Sequence, residues 1–266
     1  MERATINGVE IAYELRGGGD PIVMIHGAQG DQSMFNGMAS DFAGEYRVLT
    51  FDQRGSGLSG KPDMPYSIAM LADDTAALMD HLGIARAHII GVSMGGMIAQ
   101  EFALRHPQKV RSLVLGCTTA GGPKSVRLGG AALTSAYSTA AMTPEARGKA
   151  LAEAAFTKGY LEQHPEVIAS MIESRRSRPI DNSAFPHRMK AAQEHNTYDR
   201  LGEIRSPTLV ITGKDDALIS WENSRILADC INGAEQVILE PAGHCFWMEQ
   251  PKQSHAAIAG FIRKHS

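Results

Sequence analysis

The run His88-Ile89-Ile90-Gly91-Val92-Ser93-Met94-Gly95-Gly96 joins a short apolar segment to an amphipathic one through a serine flanked by glycines. A continuous apolar run of this kind suits a strand buried on both faces. Residues 93–105 then carry helical spacing, and Pro107 stops it because proline cannot continue a helix. A serine between strand and helix sits on a tight, strained bend that flanking glycines permit, with its oxygen exposed at the strand's carboxyl end. The helix start behind it offers backbone N–H groups and a positive dipole end to a developing oxyanion. Gly-x-Ser-x-Gly arises by chance in many chains; a strand before it and a helix after it make it specific.

Outward from this turn the same alternation repeats. Apolar runs recur at Pro21-Ile22-Val23-Met24-Ile25, Val48-Leu49-Thr50-Phe51, Ser112-Leu113-Val114-Leu115, Thr208-Leu209-Val210-Ile211 and Gln236-Val237-Ile238-Leu239. Residues 68–82 place Leu71, Thr75, Leu78, Met79 and Leu82 on one helical face. Further helices are expected after Trp221 and over residues 252–264. Strand and helix alternating in this way predict an α/β fold, a mostly parallel central sheet with helices on both faces. Near the start, Asn7-Gly8 between two β-prone stretches predicts a hairpin that adds an antiparallel edge. Residues 120–205 break the pattern, being helical throughout, too long for a simple crossover, and divided by Pro123, Pro144, Pro165, Pro179 and Pro186. They read as a helical cap, or lid, inserted in a core made of residues 1–119 and 206–266.

A serine hydroxyl is a poor nucleophile at neutral pH and needs a base within hydrogen-bond reach. Of the ten histidines, His244 follows the run Val237-Ile238-Leu239 directly, which puts it on the same edge of the sheet as Ser93. The other histidines read as helix-end or amphipathic-face residues, with His26 as an exception. A carboxylate is wanted after another strand, and Thr212-Gly213-Lys214-Asp215-Asp216 supplies two neighbouring candidates. The order serine, aspartate, histidine is one of the known triad orders, the one used by α/β-hydrolases. The N–H of Met94, next after Ser93, is a candidate oxyanion donor.

Taken together, these residues resemble the α/β-hydrolase family over nearly the whole chain, nearest to small bacterial serine esterases and 3-oxoadipate enol-lactonase-like hydrolases. The matching pieces are His26-Gly27, Asp52-Gln53-Arg54-Gly55-Ser56-Gly57, the Ser93 turn, Gly213-Lys214-Asp215-Asp216 and Gly243-His244. The resemblance implies an α/β-hydrolase fold, and it selects Asp216 over Asp215 as the acid. It also implies Ala28 as the second backbone oxyanion donor, with His26 bracing that loop. The expected activity is hydrolysis of a carboxylic ester or lactone by Ser93, His244 and Asp216 through an acyl-serine. Hydrolysis of a carbon–carbon bond in a ring-cleavage product uses the same groups, and a receptor of this fold with little turnover is the alternative from outside enzymology. Members acting on haloalkanes or epoxides carry an aspartate at the turn, so Ser93 argues against both.

Gly55-Ser56-Gly57-Leu58-Ser59-Gly60 also matches the dinucleotide-binding spacing. That motif must open a helix, and Lys61-Pro62-Asp63-Met64-Pro65 prevents one there, so a structural turn is expected and no cofactor. Cys117, Cys230 and Cys245 show neither a disulfide framework nor metal-ligand spacing. A net charge of -3 gives no pull toward nucleic acid or an anionic membrane. The opening residues lack a signal-peptide layout and no apolar run would span a bilayer, so a cytoplasmic protein with a small-molecule ester or lactone substrate is expected. Candidate pocket residues are Phe35, Phe156, Met189, Phe246 and Trp247. Arg175, Arg176 and Arg178, with Arg188 beyond, read as a solvated helix end; a clamp for a substrate carboxylate is the sharper alternative.

Overall fold

The computed structural model describes residues 1–128, 142–178, 180–181 and 183–266. Strands β1 (Glu2–Ile6) and β2 (Val9–Arg16) form the expected hairpin. Asn7 and Gly8 at its tip take φ of 48° and 77°, the left-handed pair that matches the strands' twist. The remaining strands are β3 (Asp20–Ile25), β4 (Tyr46–Phe51), β5 (Ala87–Val92), β6 (Val110–Gly116), β7 (Thr208–Gly213) and β8 (Glu235–Leu239). They build an eight-stranded sheet in the order β1-β2-β4-β3-β5-β6-β7-β8, parallel from β4 onward. This is an α/β-hydrolase fold.

Strand order reverses at β3, which pairs with β4 on one side and β5 on the other. The chains leaving the carboxyl ends of β3 and β5 therefore diverge, and a crevice opens between them, the place where open α/β sheets bind ligands. His26-Gly27-Ala28 leaves β3 there and Ser93 leaves β5 there.

The parallel strands alternate faces with the pleat. In β3, Val23 and Ile25 feed one apolar core while Ile22 and Met24 feed the other. In β6, Leu113 and Leu115 go to the first and Val114 to the second. Helices α2 (Ile68–His81) and α3 (Met94–Arg105) cover the first core. Ser67 caps α2 by accepting from Met70 N–H at 3.1 Å. Helix α1 (Asn36–Phe42) contributes Met38, Ala39 and Phe42 to the second core; seven residues, one of them Gly37, show too little periodicity to announce it.

Between β6 and β7 lie α4 (Pro144–Ala155), α5 (Lys158–Gln163), α6 (Glu166–Ser177) and α7 (Ala184–Glu194). Among the described residues the only strand-type pairing in this stretch is the bridge between Gly121 and Asn196. Pro144 opens α4 behind the Thr143 cap and Pro165 caps α6, but Pro186 lies inside the first turn of α7, where its missing N–H has no intrahelical acceptor to lose. Pro179 and residues 129–141 of the same stretch lie outside the described residues. Helices α8 (Glu222–Cys230), α9 (Phe246–Glu249) and α10 (Pro251–Lys264) complete the chain. No helix among the described residues is long and apolar enough to cross a membrane.

Candidate active site

Ser93 holds φ 56° and ψ -124°, a conformation that costs a non-glycine residue of order 1–3 kcal/mol and persists only where its surroundings over-determine it. Those surroundings are explicit. Ser93 N–H donates to Gly116 O at 2.9 Å, and Ser93 O accepts from Thr118 Oγ1 at 2.7 Å. A Cβ on Gly95 would run into the carbonyl of Ile25, and one on Gly91 into the carbonyl of Gly95. One on Gly96 would strike Thr118. The glycines around the serine are thus demanded by the start of α3 pressing against the ends of β3 and β6.

Asp216 lies three residues beyond Gly213 at the end of β7, and His244 follows β8. Asp216 Oδ2 meets His244 Nδ1 at 2.7 Å. Its other oxygen accepts from the N–H groups of Leu218 and Ile219 at 2.8 and 2.9 Å, which fixes the carboxylate. Asp215 is exposed and makes no such contact. Burial alone disfavours the charged imidazole, but the Asp216 carboxylate outweighs it and holds His244 well above the ordinary imidazole range. The Cys117 thiol also touches this imidazole; burial pushes that thiol up, so it remains a neutral hydrogen-bonding neighbour. Nothing in the cysteine spacing pointed to Cys117. Its place after β6, on the same edge as Asp216 and His244, was the available signal.

Ser93 and His244 line one cavity of about 210 Å³, together with Met34, Met171, Met248 and Arg175. Among the described residues no direct hydrogen bond joins Ser93 Oγ to the imidazole, and catalytic hydrogen bonds without substrate are often long. A second, more open cleft shares Ser93 and Ala28 and adds Met94, Met97 and Met189. Each lining includes three methionines, side chains that suit adaptable apolar contact. Phe35, Phe156, Phe246 and Trp247 are instead placed in the second apolar core, outside the lining of either cavity. Trp247 supports the site from behind, its indole N–H donating to Met34 O at 3.3 Å.

The loop after β3 is held from both sides. His26 is fully buried and neutral, its pKa pushed down to about 3 by burial and then by Arg188. Its Nε2 accepts from Gln53 N–H at 3.2 Å, so Nδ1 carries the proton and donates to Gly27 O at 2.8 Å. Arg188 Nη2 donates to the same carbonyl at 3.3 Å and Arg175 Nη2 to Gln29 O at 2.5 Å. Ala28 sits between the two gripped carbonyls.

The arginines do not form a solvated helix end as a group. Arg176 is exposed and pairs with Glu145, and Arg178 pairs with Asp31 at 2.7 Å, but Arg175 and Arg188 are buried. Helical phase contained this division: Val167, Met171 and Arg175 are spaced by four along α6, and the first two pack on the core. His88 and His195 are likewise buried, each pushed down to about 4 by burial.

The second glycine motif is a turn. Asp52 accepts from the N–H groups of Gln32 and Leu58 at 2.8 and 2.7 Å, and a Cβ on Gly57 would collide with that carboxylate. The next helix, α2, begins only at Ile68, so no helix start stands ready for a pyrophosphate. Among the described residues, Cys117, Asp216 and His244 are the one group of metal-type donors close together, with ligand atoms within 4.8 Å, and Asp216 already occupies the imidazole Nδ1.

The family model described as alpha/beta hydrolase fold matches residues 20–251. The chain belongs to the α/β-hydrolase family. This hydrolase is 28% identical over 266 residues to 3-oxoadipate enol-lactonase 2 of Acinetobacter baylyi, covering 98% of the one chain and 96% of the other. Its structure resembles the enol-lactonase from Burkholderia xenovorans LB400 with a TM-score of 0.88 at 29% identity, over 98% of this chain and 100% of that one. It also resembles a thermophilic esterase from Thermogutta terrifontis, determined with malate bound, with a TM-score of 0.85 at 28% identity over the full length of both.

Proposed function

We propose that this hydrolase cleaves a carboxylic ester or lactone through an acyl-enzyme on Ser93. The observation that carries the reading is the Asp216–His244 pair opening onto the same cavity as a serine held at a strained strand–helix bend. In acylation Ser93 Oγ attacks the carbonyl carbon and His244 takes its proton. The C–O bond to the leaving alcohol then breaks and His244 returns a proton to that oxygen. Water repeats the sequence on the acyl-serine and releases the acid. Asp216 keeps the imidazole in the tautomer whose Nε2 accepts.

The oxyanion would rest on the N–H groups of Met94 and Ala28. In a trans peptide the N–H points away from its carbonyl. His26 and Arg188 both hold the Gly27 carbonyl on one side, which turns the Ala28 N–H to the other and supports this assignment. Residues 120–205 act as the cap in this reading, since Met171 and Arg175 of α6 and Met189 of α7 line the two cavities beside Ser93. The lactonase and esterase relatives agree with ester or lactone chemistry. Turnover of short-chain p-nitrophenyl esters by wild type, lost in Ser93→Ala, is the test. Tight ligand binding without turnover would support a receptor instead.

A further inference from the structure

Gly27 is held between the nucleophile and the cap. A Cβ on Gly27 would stand 3.1 Å from Ser93 Cβ, so the loop after β3 lies directly against the serine. Its carbonyl meets Arg188 of α7, whose Nη2 donates to Gly27 O at 3.3 Å and to Gln53 Oε1 at 3.2 Å. Gln53 Nε2 in turn donates to His26 O at 2.5 Å, which ties the same guanidinium to the preceding carbonyl. Arg188 is 2% exposed and lines neither of the two cavities that contain Ser93. Among the described residues it forms no ion pair; both acceptors of Nη2 are amide oxygens, and its Nε has none. Burial lowers its pKa to about 10, with Tyr66 and Asp52 opposing, so the side chain is charged at neutral pH. A buried charge without an ion pair is costly to keep, and this one rests on the carbonyl of a single peptide group.

We propose that Arg188 is a positioning residue of the oxyanion hole: from the cap it orients and polarises the Gly27–Ala28 peptide, so that Ala28 N–H becomes a strong donor only with α7 seated. The inference rests on the roles of Ser93 and Ala28 given above. A cation on a carbonyl oxygen draws the amide electrons toward that oxygen and leaves the N–H more positive, as hydrogen bonds in a chain strengthen one another. His26 Nδ1–H and Gly30 N–H also reach Gly27 O, at 2.8 and 3.4 Å, but both are neutral and both belong to the loop itself. Arg188 is the partner that brings charge, and it comes from another part of the fold. Arg175 of α6 takes Gln29 O at 2.5 Å, so the cap grips the loop on both sides of Ala28. Met189, next after Arg188, lines the open cleft beside Ser93. The helix that would touch substrate there is therefore the one that sets the donor.

An oxyanion donor acts on the transition state and not on substrate binding, which separates this role from a merely structural one. With a p-nitrophenyl ester, Arg188→Met should lower kcat roughly 30-fold with KM within about threefold, less than the 10²–10³ that follows outright loss of a donor. Arg188→Lys, which keeps the charge, should recover most of that loss. The second readout is inhibition by a trifluoromethyl ketone of similar chain length. Ser93 Oγ adds to its carbonyl carbon, the C=O electron pair moves onto oxygen as an oxyanion, and His244 takes the Oγ proton. In Arg188→Met its inhibition constant should rise by the factor by which kcat/KM falls, while that of the matching secondary alcohol, which has no carbonyl to attack, stays fixed. If Arg188→Met does not fold, Arg188→Gln takes its place: the neutral variant should lose the ketone selectively and Arg188→Lys should not. Unchanged kcat, a change in KM alone, or equal weakening of ketone and alcohol would overturn this inference and leave the serine-hydrolase reading standing. A wild type that turns over no ester and binds the ketone no better than the alcohol would overturn that reading and this inference with it.

Discussion

Two glycine-rich turns follow strands in this chain, Gly91 to Gly96 after β5 and Gly55 to Gly60 after β4, and their glycines answer to different contacts. After β5 the absent side chains let α3 press onto the ends of β3 and β6, so that Ser93 is left on a strained bend facing a cavity. After β4 Gly57 makes room for the Asp52 carboxylate, which accepts from Leu58 N–H of the same turn and from Gln32 N–H of the segment after β3. The first turn leaves its serine facing a cavity, whereas the second closes on a carboxylate of its own chain. A glycine pattern acquires a chemical meaning only through what the next element does with the space.

The largest expected difference between the turns lies at their two serines. Ser93→Ala should lower kcat for ester hydrolysis by about 10⁶. Ser56→Ala, which removes only a 3.1 Å contact to His26 in the second turn, should stay within about tenfold of wild type by the same assay. Comparable losses in both would mean that the second turn takes part in the chemistry. Asp216→Asn should cost about 10⁴ in kcat. The exposed neighbour variant Asp215→Asn should behave as wild type, and the reverse outcome would move the acid by one residue.

The two turns should also differ in what they contribute to stability. Gly95→Ala puts a methyl group against backbone carbonyls of β3 that cannot yield, and should cost about 3 kcal/mol or more in urea unfolding. Gly57→Ala meets a left-handed φ of 50° and a side-chain carboxylate that can shift, and should cost about 1–3 kcal/mol. The smallest effect is in pH. Asp216 raises the His244 pKa, and a general base must be neutral, so kcat/KM should rise with pH around a midpoint above about 6.5. Asp216→Asn should move the residual midpoint down. A wild-type midpoint at or below 6.5 would show that burial outweighs the carboxylate.

The parallel strands were legible because each is buried on both faces and so reads as an unbroken apolar run, β3 and β6 most clearly. The serine turn, the Asp216 loop and His244 were legible because each follows such a run on one edge of the sheet. Sheet order was not, since nothing in β3 records that it pairs with both β4 and β5. The aromatic residues misled for a related reason: Phe246 and Trp247 are near His244 in sequence, but α9 turns both into the core. Arg175 was legible in the helical phase of α6 and hidden by the exposed arginines beside it.

The proposed activity turns on a covalent acyl-enzyme formed on Ser93 through the His244–Asp216 pair. The most direct measurement is mass spectrometry of the protein after reaction with a p-nitrophenyl ester quenched in acid, followed by peptide mapping. One acyl group is expected, on the peptide carrying Ser93, absent from Ser93→Ala and slow to form in His244→Ala. Acylation mapped to Cys117 or Cys245, or full turnover with Ser93 never modified, would contradict it.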